Sequence, residues 1–97
     1  MKKTVERFNI TVAPTQTVKV PFNAEILNFD ILNGLPGFNA IVEDGQRDGN
    51  RSFLITTFGK DLPPHLNKTR FIGAFELRDR RKEAEKGAKN LFFVFEE

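Results

Sequence analysis

The chain has 97 residues, 39% of them apolar, and 15 Lys and Arg against 13 Asp and Glu give a formal net charge of +2. That length and composition fit one globular domain spanning 1–97, and they exclude a disordered or multidomain chain. With no Cys and a single His there is no disulfide, no zinc site of the Cys/His type and no thiol nucleophile.

No run approaches the roughly 20 apolar residues of a spanning helix, and MKKTVERFNI has no apolar stretch behind its lysines, so a soluble protein without membrane contact is expected. Charge is unevenly placed. Residues 78–89, RDRRKEAEKGAK, hold six basic and three acidic groups, which leaves the remainder of the chain slightly acidic. A nucleic-acid binder usually spreads a basic face across its fold, so nucleic acid is disfavoured as a partner. The 11 Phe, with no Tyr or Trp, bring aromatic bulk without a polar handle.

Alternation of period two dominates the chain. Phe8, Ile10 and Val12 share one face against Arg7, Asn9 and Thr11, and Pro14 ends this first strand. Val18, Val20 and Phe22 form the second, where Pro21 marks an edge or the strand's end. The third runs from Glu25 to Leu32 with Leu27, Phe29 and Ile31 on one face, and Asn33-Gly34 follows as a strong hairpin signal. Phe38, Ala40 and Val42 answer on the return strand, and EDGQRDGN at 43–50 reads as a loop. Arg51 to Phe58 is apolar on both faces, which predicts a central or interface strand.

GKDLPPHLNK at 59–68 reads as an irregular crossing loop. In the sixth strand, Arg70 to Leu77, Phe71, Gly73, Phe75 and Leu77 face one way, and Gly73 marks a bulge or the close approach of another backbone. The stretch 79–89 has good helix formers but only Ala84 and Ala88 to bury, so it reads as an exposed charged loop. LFFVF at 91–95 is again apolar on both sides. Seven short antiparallel strands predict an all-β sandwich or partly open barrel, with Phe8, Ile10, Leu27, Phe29, Val42, Ile55, Phe71, Phe75 and Phe93 buried.

VPFNAEILNFDILNGLPGFNAIVED, then RSFLITTFGKDLP, RFIGAFEL and the terminal FFVFEE resemble a family of small all-β bacteriophage proteins of unassigned function. The resemblance runs from about Arg7 to Glu97 and is most specific at Ala24-Glu25-Ile26-Leu27 after a proline, Asn33-Gly34, Ile72-Gly73 and Val94-Phe95-Glu96. It implies an all-β phage protein acting in the host cytoplasm or in the virion, and it implies no chemistry. Thr57-Phe58-Gly59-Lys60 stands where family members carry a Gly-Thr-Gly-His type of loop, and Phe92-Phe93-Val94-Phe95-Glu96 where many read Phe-His-Val-Phe-Glu, so both family histidines are absent. The 79–89 segment is longer than the usual turn and is a place for member-specific contacts.

Catalytic constellations fail on arithmetic. Ser52 and His65 lack a nucleophile elbow, and a lone base is not a mechanism. Asp44 to Gly49 imitates the start of a calcium loop, but Gln46 occupies its third place and Ile55 the twelfth, so two tight turns account for it. Arg47, Arg51, Lys60 and Arg70 flank loops around the fifth and sixth strands, where convergent cations could recognise an anion through paired hydrogen bonds. The reading is therefore a non-enzymatic phage accessory protein without cofactor. It binds a host protein or sequesters an anionic, nucleotide-type host metabolite, and the alternative is a virion structural or decoration subunit. A homo-oligomer, with a dimer favoured, is expected because two strands are apolar on both faces.

Overall fold

The computed structural model describes residues 2–78 and 89–97, and the apolar alternation resolves there into seven strands. They are β1 Lys3–Asn9, β2 Thr15–Pro21, β3 Glu25–Leu32, β4 Leu35–Glu43, β5 Asp48–Thr56, β6 Phe71–Arg78 and β7 Lys89–Glu96, with a 3-10 turn at Lys68–Arg70. They form two antiparallel sheets, one ordered β1-β4-β3 and the other β2-β5-β7-β6, with no barrel closure among the described residues. The charged loop expected at 79–89 lies outside the described residues as far as 88, and Lys89 opens β7.

The hairpin signal is realised as read. Asn33 (φ 52°) and Gly34 (φ 78°) both take the left-handed conformation, and Leu32 pairs with Leu35 across a two-residue turn whose twist suits the flanking strands. Pro21 closes β2, and β2 is an edge strand, where a missing N–H costs no ladder bond. Both doubly apolar strands are central, with β5 between β2 and β7, and β7 between β5 and β6.

The sheets are locked by rings. Phe38 of β4 lies 5.3 Å from Phe29 of β3 and 5.6 Å from Phe53 of β5, in tilted and edge-to-face arrangements, and Phe29 meets Phe53 edge-on at 6.1 Å. Phe38 and Phe53 are fully buried, with Val20 and Val94 completing the innermost layer. Ile10, Val42, Ile55 and Phe75 are buried around them, as expected.

Two of the predicted core residues are instead exposed, and a bulge accounts for each. In β3 the register shifts between Ile26 and Asn28, so Ile26 opposes Ala40 on the core side while Leu27 is turned out and left 54% exposed. In β6 the shift falls between Phe71 and Gly73, so Phe71 pairs with Phe95 on the outer face and is 43% exposed. Gly73 thereby sits at the expected bulge, but what approaches it is the Phe29 ring and not another backbone, and a methyl group there would overlap that ring.

Strand ends also differ from the sequence reading. β1 starts at Lys3, although Lys3 to Glu6 are exposed and carry no apolar alternation, because their backbone pairs with Ala40 to Glu43 of β4. Val12 leaves the strand and is exposed, although Ile10 still donates to the Pro36 carbonyl at 3.0 Å. Asp48, Gly49 and Asn50, expected in a loop, are strand residues opposite Pro21, Val20 and Lys19.

Phe53→Ala is expected to destabilise the fold by about 3–5 kcal/mol, since the ring bridges both sheets and its removal leaves a cavity. Gly73→Ala is expected to cost about 1–3 kcal/mol by forcing Phe29 off its neighbours. Denaturant unfolding of the two variants measures both, and a neutral Gly73→Ala would refute the close approach.

Candidate functional site

Arg51, Phe53 and Ile55 share the inner face of β5, and Phe92, Val94 and Glu96 share that of β7. Arg51 and Glu96 are the charged residues among these inward positions, and they meet. Arg51 donates from Nε to Glu96 Oε2 and from Nη2 to Glu96 Oε1, both at 2.6 Å, which is a bidentate pair. Its Nη1 donates to the Ala24 carbonyl at 2.7 Å, tying the β2–β3 connection to the same point. Each side chain keeps about a quarter of its surface exposed. Hydrogen bonding to Glu96 raises the Arg51 pKa above its ordinary value, burial opposes the rise, and the carboxylate charge adds to it. A raised arginine pKa contributes stability that is complete below the ordinary arginine value and is lost only as pH climbs through the raised one. Arg51 therefore stays charged throughout the neutral range.

Above this pair the sandwich end opens into a cleft of about 430 Å³, whose walls include Val20, Pro21, Phe22, Asn23, Asn50, Arg51 and Glu96. Its lip is a turn in which the Ala24 N–H reaches the Pro21 carbonyl at 3.1 Å and Asn23 takes φ 67°. Asn is among the few residues that tolerate that conformation. The Phe22 N–H donates to the Arg47 carbonyl at 2.5 Å, stapling the lip to the β4–β5 loop, and the Phe22 ring is left 61% exposed.

The four cations singled out from sequence separate. Arg51 is the cleft wall. Arg47 is exposed on the loop bonded to Phe22. Arg70 is exposed and immediately precedes the Phe71–Phe95 pair, which places it at the Glu96 end of the same sheet. Lys60 lines a different hollow, with Val12, Pro14, Thr57 and Phe92, and is not brought to the other three. Ser52 exchanges a hydrogen bond with Thr17 at 3.2 Å, and His65 is an exposed loop residue. No group of three or more His, Cys, Asp or Glu suited to a metal occurs among the described residues.

Sequence reasoning missed Glu96 and Phe22. Glu96 had a signal in its parity, since it continues the inward series Phe92, Val94, as Arg51 continues Phe53 and Ile55. Phe22 was taken as the third residue of an apolar strand face, and no local pattern distinguishes that from an exposed lip.

A second polar cluster crosses the outer face of the three-stranded sheet. Arg7 of β1 bonds Asp30 Oδ1 of β3 at 2.5 Å and the Leu35 carbonyl at 3.1 Å, and Asn39 of β4 donates to Asn28 Oδ1 at 3.0 Å and Asp30 Oδ2 at 3.3 Å. Gly37 makes room for it, since an added Cβ would stand 2.6 Å from the Phe8 carbonyl oxygen and 3.0 Å from Arg7 Nη2. The cluster joins three strands.

Fold and site together define a two-sheet antiparallel β domain with an ion-paired cleft at one end. Residues 1–84 match a family described as a domain of unknown function, DUF7352, and the chain belongs to that family. The matched span stops short of β7, so Arg51 lies inside it and its partner Glu96 outside. No curated protein and no solved structure matches the chain.

A double-mutant cycle over Arg51→Ala and Glu96→Ala is expected to give a coupling of about 1–3 kcal/mol in denaturant unfolding, because the pair is bidentate and mostly screened from water. A coupling near zero would show the pair to be idle.

Proposed function

We propose that this chain is a non-enzymatic phage accessory protein that binds its target, and that the cleft between Phe22 and the Arg51–Glu96 pair takes an anionic ligand of nucleotide type. The observation that carries the reading is the cleft itself. Its volume of about 430 Å³ falls within the range of small-molecule sites, and it combines an exposed ring with a fixed cation. Phe22 offers a face on which a flat base stacks, a contact worth about 1–3 kcal/mol per base in single-strand binders. Arg47, on the loop bonded to Phe22, supplies positive charge toward a phosphate, and Arg70 adds charge at the same end of the sheet.

Arg51 is not a free anion receptor. Three of its five N–H groups are committed to Glu96 and Ala24, so its part is to hold a rigid donor edge, with Glu96 accepting from amino or hydroxyl groups of the ligand. Phage origin, and action in the host cytoplasm, are supported by the motif resemblance alone.

Calorimetric titration of a nucleotide panel into wild type, Phe22→Ala and Arg47→Ala tests the reading. Binding by wild type is expected, with about a tenfold or greater loss in Phe22→Ala and a salt-sensitive loss in Arg47→Ala, both variants unfolding as wild type does. No heat from any nucleotide with the wild-type protein refutes the ligand class.

A further inference from the structure

The end cleft leaves unused the hollow that Lys60 lines, and the position of that hollow follows from unequal strand lengths. β2 starts at Thr15, opposite Leu54, so β5 runs on past its neighbour, and the segment before β2 is tied to it by the Pro14 carbonyl, which accepts from the Ile55 N–H at 2.8 Å. On its other side β5 still pairs, Thr56 with Phe93 of β7. Beyond Thr56 the chain turns at Gly59, whose φ of 79° suits glycine, and brings Lys60 and Asp61 back to this corner. The hollow measures about 360 Å³ and is lined by the apolar Val12, Leu54, Ile55 and Phe92 together with Lys60 and Asp61. Ile55 is buried and Leu54 and Phe92 are part-buried, whereas Lys60 and Asp61 are exposed, so the charges stand toward solvent.

Neither the Lys60 ammonium nor the Asp61 carboxylate makes an ion pair or a side-chain hydrogen bond with a described residue. The two are consecutive in the chain and opposite in sign, so the mouth carries no net charge yet offers one cation and one anion beside an apolar interior. We propose that this hollow binds a free apolar α-amino acid. Its carboxylate pairs with Lys60, its ammonium with Asp61, and its side chain enters among Leu54, Ile55 and Phe92.

An α-amino acid carries both charges on one carbon, and the four-carbon stem of Lys60 lets its ammonium meet the carboxylate while Asp61 holds the neighbouring amine. Other ligand classes fit less well. A phosphate or a simple carboxylate meets Lys60 but is repelled by Asp61, and a simple amine meets Asp61 but is repelled by Lys60, so each loses one pairing for the same apolar contact. The volume stands at the low end of small-molecule sites, which suits one amino acid. Exposed ion pairs contribute little, so an affinity of about 0.1–1 mM is expected. Along β5 the end cleft takes Gly49 to Arg51 and the hollow Leu54 to Thr56, and the inference is independent of what binds in the cleft.

Amide shifts of the nitrogen-15-labelled full chain, titrated with L-leucine or L-phenylalanine to about 10 mM, test it. Saturable shifts are expected at Leu54, Ile55 and Thr57. Two leucine analogues each lack one charge, 3-methylbutylamine without the carboxylate and 4-methylpentanoate without the amine, and each is expected to bind about fivefold or more weakly. Lys60→Ala is expected to abolish the preference for leucine over the amine, and Asp61→Ala the preference over the acid. Both substitutions fall on exposed loop residues, and the analogue series on wild type decides the case if either variant misfolds. No saturable shift with either amino acid overturns the proposal. Equal binding of glycine, of the amine or of the acid by the wild type overturns it also, by showing that the apolar interior or one of the two charges plays no part.

Discussion

Phe38 and Phe53 have no exposed surface, and with Phe29 they make a triangle of rings that belongs to neither sheet alone. Each sheet by itself would leave one apolar face in water. In a chain without disulfides, burying those faces against one another is the principal favourable term. The triangle also sets tolerances elsewhere. Because the Phe29 ring occupies the space where a side chain at 73 would go, β6 carries glycine there and bulges beside it. That bulge turns Phe71 onto the outer surface. One packing contact thus propagates into the composition of the opposite face.

Charge is handled by the same logic of faces. Inward positions of β5 and β7 include the apolar Phe53, Ile55, Phe92 and Val94, and beside them Arg51 and Glu96 meet with about a quarter of each side chain exposed. A pair of this kind contributes less through Coulomb attraction, which water screens at partial exposure, than through geometry. Its three charge-assisted hydrogen bonds connect β5, β7 and the turn after β2, and so define the floor and one wall of the cleft. The Arg7 cluster does the corresponding work on the outer face of the other sheet, joining β1 and β3 across the shared strand β4.

These two devices leave the domain with two surfaces of opposite character. The end cleft is small and lined by polar and apolar groups together, which suits a ligand fixed in one orientation. The outer face of the four-stranded sheet carries the rings of Phe58, Phe71, Phe93 and Phe95 in contact with one another. Membership in a family of unknown function assigns neither, so both rest on the chemistry of the residues that form them. The two surfaces lie on different sides of the same sheet.

Much of the fold is local and therefore readable. Asn33-Gly34 determines its turn because only a residue tolerant of positive φ, followed by glycine, fits a tight hairpin, and the period-two runs determine seven strands because each must hide one face. Pro21 announces an edge, and the double apolarity of Arg51 to Phe58 and of 91–95 announces central strands. Where the reading failed, the cause was non-local. Leu27 and Phe71 reverse their faces at bulges that depend on the partner strand's register, and Lys3 to Glu6 become a strand only because β4 offers backbone partners. The candidate site was half legible. Arg51 stood out as a basic residue at a strand start, but its pairing with Glu96, 45 residues later, follows from β5 and β7 lying side by side. Composition and periodicity determined an all-β chain of seven strands, since those properties are carried by neighbours in the chain. Tertiary structure alone decided which arginine is paired, which loop forms the cleft's lip and which rings face water, since those depend on residues that meet only after the two sheets close on Phe29, Phe38 and Phe53.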